Sequence, residues 1–147
     1  MSAHETFYVI LGLLTIVPAV WPNRRLFAGG LGLSALEAFY YVVALAALLV
    51  GWYFNFQYMR SYGDQVGWWH WTTLLFVNPA SASGGQDLIF ANVVLMLPWL
   101  VMAGRRSGLR HAWWFFVMSI FTSYAFAFAL FLAIDERQWR SRTAAAA

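Results

Sequence analysis

The sequence predicts an all-α integral membrane protein, with four transmembrane helices and an interfacial segment between the second and third. Three observations carry that expectation. Hydrophobic residues make up 62% of the 147-residue chain and charged residues only 10%. A soluble domain carries roughly 25% charged residues, so this chain has too few polar groups to cover a water-facing surface. The apolar residues gather into four runs, about 3–21, 35–56, 83–103 and 112–134, within a single membrane domain over 1–147. No tryptophan falls in the middle of a run: Trp21, Trp52, Trp99 and Trp139 lie at or beyond C-terminal ends, Trp113 and Trp114 open the fourth, and Trp68, Trp69 and Trp71 lie between runs. That is the distribution of an aromatic belt at a membrane interface. The runs lack the alternation of barrel strands, and lipid requires every backbone polar group to be satisfied internally, which leaves helices.

The first run, Phe7–Trp21, carries no charge. It is short, about 22 Å of helix against a hydrocarbon core of roughly 30 Å; extension back to Ala3 permits a tilted or locally thinned span. A cleaved signal peptide is disfavoured by the missing basic n-region and by Pro18 and Pro22. The second, Ala35–Phe56, holds Glu37 as its only charge, and Ala47 and Gly51 form a small-x-x-x-small step for close helix packing. The third, Leu88–Ala103, reaches spanning length when started at Ser83, and Pro98 predicts a kink near its end. The fourth, Ala112–Ile134, is uncharged and long enough to span by itself. Ser2-x-x-Glu5, Ser34-x-x-Glu37 and Ser83-x-x-Gln86 each match a capping box, so Glu5 and Glu37 read as helix-capping acids rather than proton-relay groups.

The only long connection follows the second run. Within it Gly67–Val77 places three tryptophans around His70, too short to span and suited to the headgroup plane. Asn78-Pro79 breaks this segment and Ser81–Gly85 reads as a flexible link. A four-span topology puts Arg24, Arg25, Arg105, Arg106 and Arg110 on one side and Arg60, Arg137, Arg140 and Arg142 on the other. Five against four scarcely engages the positive-inside rule; the short loops are assigned to the cytoplasm, with a bacterial inner membrane as the location.

The absence of cysteine removes disulfides, thiolate metal sites and cysteine nucleophiles. His4, His70 and His111 have no metal-ligand spacing, so no metal site is expected, and His111 reads as an interfacial residue rather than a porphyrin ligand. Nucleic acid is not an expected partner, because the arginines sit beside apolar runs rather than on a soluble basic stripe. No nucleophile elbow, phosphate-binding loop or carboxylate pair is present, so no catalytic residue is assigned.

The polar residues that remain have two readings each. Asn78 and Asp87 are helix-capping and turn residues or an interfacial lipid or ligand contact. Arg105, Arg106 and Arg110 are a topology signal or a site for anionic lipid phosphate. Asn92 is interhelical glue or a ligand contact. On the fourth run Ala125, Ala129 and Ala133 repeat every four residues as a helix-packing seam. Beside it Phe121, Tyr124, Phe128 and Phe131 form one aromatic face, facing lipid or core, or a flat molecule such as an isoprenoid, carotenoid or quinone.

From about Trp52 to Trp139, roughly 60% of the chain, the sequence resembles a family of small bacterial integral membrane proteins known only as a domain of unknown function. The resemblance rests on Asn78, Asp87-Leu88, Arg105-Arg106, Phe131-Leu132 and Glu136-Arg137. It implies a membrane location and supplies no reaction; the first helix is an addition to it. Two functions are therefore expected. One is a non-catalytic accessory or structural subunit of a larger membrane complex, of photosynthetic or respiratory type, packing helices against other transmembrane subunits and holding lipid or pigment. The other is a membrane enzyme or carrier acting on an isoprenoid-like molecule.

Overall fold

The computed structural model describes residues 2–146; Met1 and Ala147, the ends of the expected domain, lie outside the described residues. Every regular element among the described residues is helical: α1 (Ala3–Val20), α2 (Arg25–Ala28), α3 (Ala35–Tyr62), α4 (Trp68–Leu74), α5 (Pro79–Leu88), a π-helical stretch (Ile89–Leu95), α6 (Met96–Ser107), α7 (Trp114–Phe121) and α8 (Tyr124–Ala146). Three helical units are long and apolar enough to cross a membrane: residues Ala3–Asn23, Ala35–Gln65 and Pro79–Ser107.

The fourth run behaves differently from expectation. It is two helices, not one. The rings of Phe115 and Phe131 meet edge to face at 5.4 Å, whereas sixteen residues of continuous helix would hold them about 24 Å apart. The chain doubles back at Thr122, whose φ of −124° and ψ of −96° end α7. Ser123 then caps α8 by accepting the Phe126 N–H on its Oγ at 3.1 Å, the usual task of a serine at a helix start. Thr122 turns its hydroxyl back onto the Met118 carbonyl at 2.7 Å.

This hairpin wedges between α1 and α3. Those two helices run antiparallel and touch at one end, where Glu5 meets Arg60 and Tyr8 meets Asn55. Further along, the hairpin turn inserts between them. Ser123 Oγ donates to the Ala47 carbonyl at 3.4 Å near the midpoint of α3, and the Tyr8 hydroxyl donates to the Thr122 carbonyl at 3.4 Å. Gly12 and Gly51 provide the room. A Cβ on Gly12 would lie 2.8 Å from the Phe121 carbonyl oxygen, and one on Gly51 would lie 3.1 Å from Ser123 Cβ. The small-residue step on α3 thus admits the turn of a hairpin. From there α8 runs antiparallel to α3 and ends beside the start of α3, burying Phe126, Ala127, Ala129, Phe131, Ala133 and Ile134 as the centre of the core.

The third unit is longer than expected. Asn78 caps α5 through the Ser81 N–H, and Pro79 occupies the first turn, where a missing N–H costs nothing. The Ser81–Gly85 stretch is therefore helix rather than a flexible link, and Ser83 lies inside α5 rather than at a cap. Gly85 lets this helix press against Leu75 after α4. The irregularity attributed to Pro98 lies just before it, as the π-helical stretch ending at Leu95. Proline lacks the N–H for the carbonyl four residues back and its ring crowds that carbonyl; a wider turn upstream accommodates both effects.

Candidate functional site

One end of the bundle gathers eight of the nine arginines. Asn23 clasps the main chain of Arg110, donating to its carbonyl at 3.0 Å and accepting its N–H at 2.9 Å, which joins the α1–α3 loop to the α6–α7 turn. Arg142 Nη1 donates to the carbonyls of Arg106 and Ser107 at 3.0 Å each, which brings the end of α8 to the same place. Arg137 Nη1 donates to the carbonyls of Leu26 and Leu31, and Arg140 Nη2 to that of Gly32 at 2.8 Å.

At the centre of this end sits Glu37, with no solvent exposure. Its carboxylate accepts from Arg137 Nε at 2.5 Å and from Arg140 Nη1 at 3.1 Å. The ring of Phe27 covers the Arg137 guanidinium at 4.9 Å, a cation–π contact. Only half of the expected Ser34–Glu37 capping box forms. Ser34 Oγ accepts the Glu37 N–H at 3.1 Å, but the Glu37 side chain turns inward because two guanidiniums offer a buried carboxylate more than one backbone amide does. The Ser2–Glu5 box forms completely, and Glu5 also accepts from Arg60 Nε at 2.7 Å at the opposite end.

Arg24, Arg25, Arg105, Arg106, Arg110, Arg137, Arg140 and Arg142 thus share one end, and Arg60 alone stands at the other. The five-to-four division is overturned, because the fourth run returns to the end it came from.

The structure scatters the other candidate residues. Asn78 is an exposed cap of α5 and Asp87 is exposed a little further along the same helix. Asn92 lies in the π-helical stretch, half-buried, with Oδ1 accepting from Ser119 Oγ of α7 at 3.2 Å. Arg105, Arg106 and Arg110 are exposed around the α6–α7 turn. Ala129 and Ala133 are buried, but Ala125 is exposed, so the small-residue seam is shorter than expected. The four-ring face does not exist as such: Phe121 belongs to α7, and Phe131 is buried against Phe115 and Trp99. Tyr124 stacks on Phe128 at 5.7 Å, and Trp99 packs on Phe128 at 5.0 Å. His111 sits before α7, exposed, at a φ of 55°. No group of three or more His, Cys, Asp or Glu able to hold a metal is found among the described residues.

Sequence reasoning missed Arg137, Arg140 and Asn23 as buried or bridging groups and Ser123 as a cap. A lone acid inside an apolar run, Glu37, was the available signal for a buried cation partner. The Thr122-Ser123 pair was the signal for a helix break.

The fold and the charge-locked end define a small all-helical protein with three membrane-compatible helices and a folded-back hairpin. The chain belongs to the family described as protein of unknown function DUF2834, which matches residues 39–137, about 67% of the chain. No curated protein and no solved structure matches it. The match begins after α1 and ends on Arg137, one residue of the central ion pair.

Proposed function

We propose that the chain is a non-catalytic accessory subunit of a larger complex in a bacterial cytoplasmic membrane. The observation that carries this reading is how its buried charges are used. Glu5, Glu37 and Arg137 are each committed to side chains or carbonyls of another segment, which makes them bundle fasteners rather than groups free to act on a substrate. Support for a partner comes from α3, which exposes Phe39, Val42, Leu45, Leu49 and Phe54 along its outer faces. In lipid such faces meet acyl chains or another transmembrane helix.

In this reading four segments are membrane-embedded, with α1, α3 and the α5–α6 unit crossing. The α7–α8 hairpin enters from the arginine-rich end and returns to it. Non-regular backbone at the turn is tolerated because it is enclosed by α1 and α3. The exposed Trp68 and Trp69 of α4 lie in the opposite headgroup plane. Eight arginines against one put the charged end in the cytoplasm.

Purification in mild detergent tests the subunit role. Stoichiometric recovery of at least one other transmembrane protein is expected. A monodisperse chain recovered alone from its native membrane overturns it.

A further inference from the structure

Between α6 and α8 at the arginine-rich end lies an open groove of about 670 Å³, lined by Trp99, Ala103, Arg106, Trp139 and Arg142 among others. The two helices run parallel here, since Trp99 packs on Phe131 and Arg142 reaches the Arg106 carbonyl. The groove therefore has a charged outer end and an aromatic inner one. Phe128, Phe131, Asp135, Trp139 and Arg142 follow one another at spacings of three or four, which makes them one stripe of α8. Trp99 of α6 packs on Phe128 as well as on Phe131, so the aromatic wall continues inward from the groove.

Arg142 is anchored here without being used up. Its Nη1 donates to the carbonyls of Arg106 and Ser107 at 3.0 Å each, which accounts for both hydrogens on that nitrogen. The Nε–Nη2 edge has no partner among the described residues and belongs to an exposed side chain. Its two parallel N–H groups form the fork that takes two phosphate oxygens at once. The same anchor holds Arg142 against the last turn of α6, where the exposed Arg106 lines the groove as a second cation. Arg137 and Arg140 offer nothing comparable, because both are turned onto Glu37. The sequence grouped Arg106 with Arg105 and Arg110; the fold pairs it with Arg142 instead.

We infer that this groove holds an anionic phospholipid, its phosphate on Arg142 and Arg106 and an acyl chain along Trp139, Ala103 and Trp99. Arg142 and Phe128 are fourteen residues apart on α8, about 21 Å of rise. That is close to the depth of one leaflet with its headgroup region, roughly 20–22 Å. A phosphate at the outer end thus leaves its chains on the aromatic wall and its headgroup in the interface. Free phosphate would meet the guanidiniums but leave that wall unused. A headgroup without a cation suits the site, because a choline or ethanolamine nitrogen stays within a few ångströms of its own phosphate and so beside the two guanidiniums. Asp135 takes no part. Its Oδ1 has no accessible surface, and it stands about 10 Å of rise inward of Arg142, where it opposes a phosphate far less than two adjoining guanidiniums attract one. This inference rests on the placement of the arginine-rich end at a membrane surface and is independent of any partner subunit.

Native mass spectrometry of the intact, delipidated chain tests it, using equimolar phosphatidylglycerol and phosphatidylcholine. One phosphatidylglycerol is expected to be retained in preference by about tenfold. Arg142→Gln should lower its retention by about tenfold, the scale of one hydrogen bond to a charged group. Arg142→Lys keeps the charge but loses the fork, and should fall between the two. Arg24→Gln removes a charge from the same end but outside the groove, and should leave retention unchanged. If Arg142→Gln fails to fold, Arg106→Gln, at an exposed side chain, is expected to lower retention and decides. Equal retention of the two lipids overturns the proposal. So does an equal loss in Arg24→Gln and Arg142→Gln, which would make the binding an effect of net charge. Displacement of the lipid by millimolar inorganic phosphate also overturns it, by showing a soluble anion's site. Each of these readouts is indifferent to whether other subunits co-purify.

Discussion

Glu37 and Arg137 lie one hundred positions apart, yet Arg137 Nε donates to Glu37 Oε1 at 2.5 Å with the carboxylate fully buried. This bond ties the last helix to the first turn of the longest one. Its worth is better judged by what its loss leaves behind than by its own attraction. Removing one partner of a buried pair strands the other charge, at about 3–5 kcal/mol, whereas replacing both with apolar groups is often neutral. Glu37→Ala is therefore expected to lower the detergent melting temperature sharply, and Glu37→Leu combined with Arg137→Leu to lower it far less. Arg140 retains no acid in the double variant, but it is more exposed and reaches water. Thermal unfolding of both variants in one detergent checks the order; equal losses would show that the pair adds nothing specific.

The hairpin turn depends on two glycines. Gly12→Ala would bring a Cβ to 2.8 Å from the rigid Phe121 carbonyl, a clash expected to cost roughly 1–3 kcal/mol. Gly51→Ala faces a milder contact with the Ser123 side chain at 3.1 Å and is expected to cost less. Gly29→Ala, with open space around it, is the control. Melting temperatures should fall in the order Gly12, Gly51, Gly29.

Ser123→Ala removes the acceptor for the Phe126 N–H and is expected to destabilise by about 0.5–2 kcal/mol. Ser123→Thr keeps the oxygen and should recover most of that loss. Chemical unfolding of the two variants provides the comparison, and identical behaviour would assign the turn to packing alone.

Position along α8 separates buried from exposed alanines. Ala129→Leu overpacks a buried site and should cost roughly 1–3 kcal/mol. Ala125→Leu, on an exposed position, should be close to neutral in the same detergent. A severe Ala125→Leu would mean that this surface is covered in the native membrane, and stability measured before and after detergent extraction would reveal it.

Orientation is open to direct labelling, because the chain contains no cysteine. Single cysteines at Gly30 and Gly108 should share accessibility with the C-terminal end of α8, and one at Asp64 should behave oppositely. Intact cells treated with a membrane-impermeant thiol reagent are expected to label only the Asp64 variant. Labelling at Gly30 would reverse the orientation.

Much of this was legible in the residues themselves. Hydropathy over a window marks where α1, α3 and the α5–α6 unit run, since burying some twenty apolar residues is a property of the segment alone. The Ser2–Glu5 box and the Ser34 cap were readable for the same reason, because capping involves residues three apart. Asn78 was readable as a breaker and as a capping or turn residue, but Ser81–Gly85 reads as a link, so the helix that Asn78 opens was expected to start later than it does.

What tertiary structure decided lies beyond that range. One serine hydroxyl and an unusual Thr122 backbone turn an apparent span into a hairpin, and composition over 112–134 cannot register that reversal. The reversal then moves Arg137, Arg140 and Arg142 to the end already holding five arginines, and it carries Arg137 onto Glu37. Local sequence sets which backbone groups can be satisfied within a helix. Which charge meets which, and on which side, is set by where distant helices come to rest, because electrostatic partners are chosen by distance in space rather than along the chain.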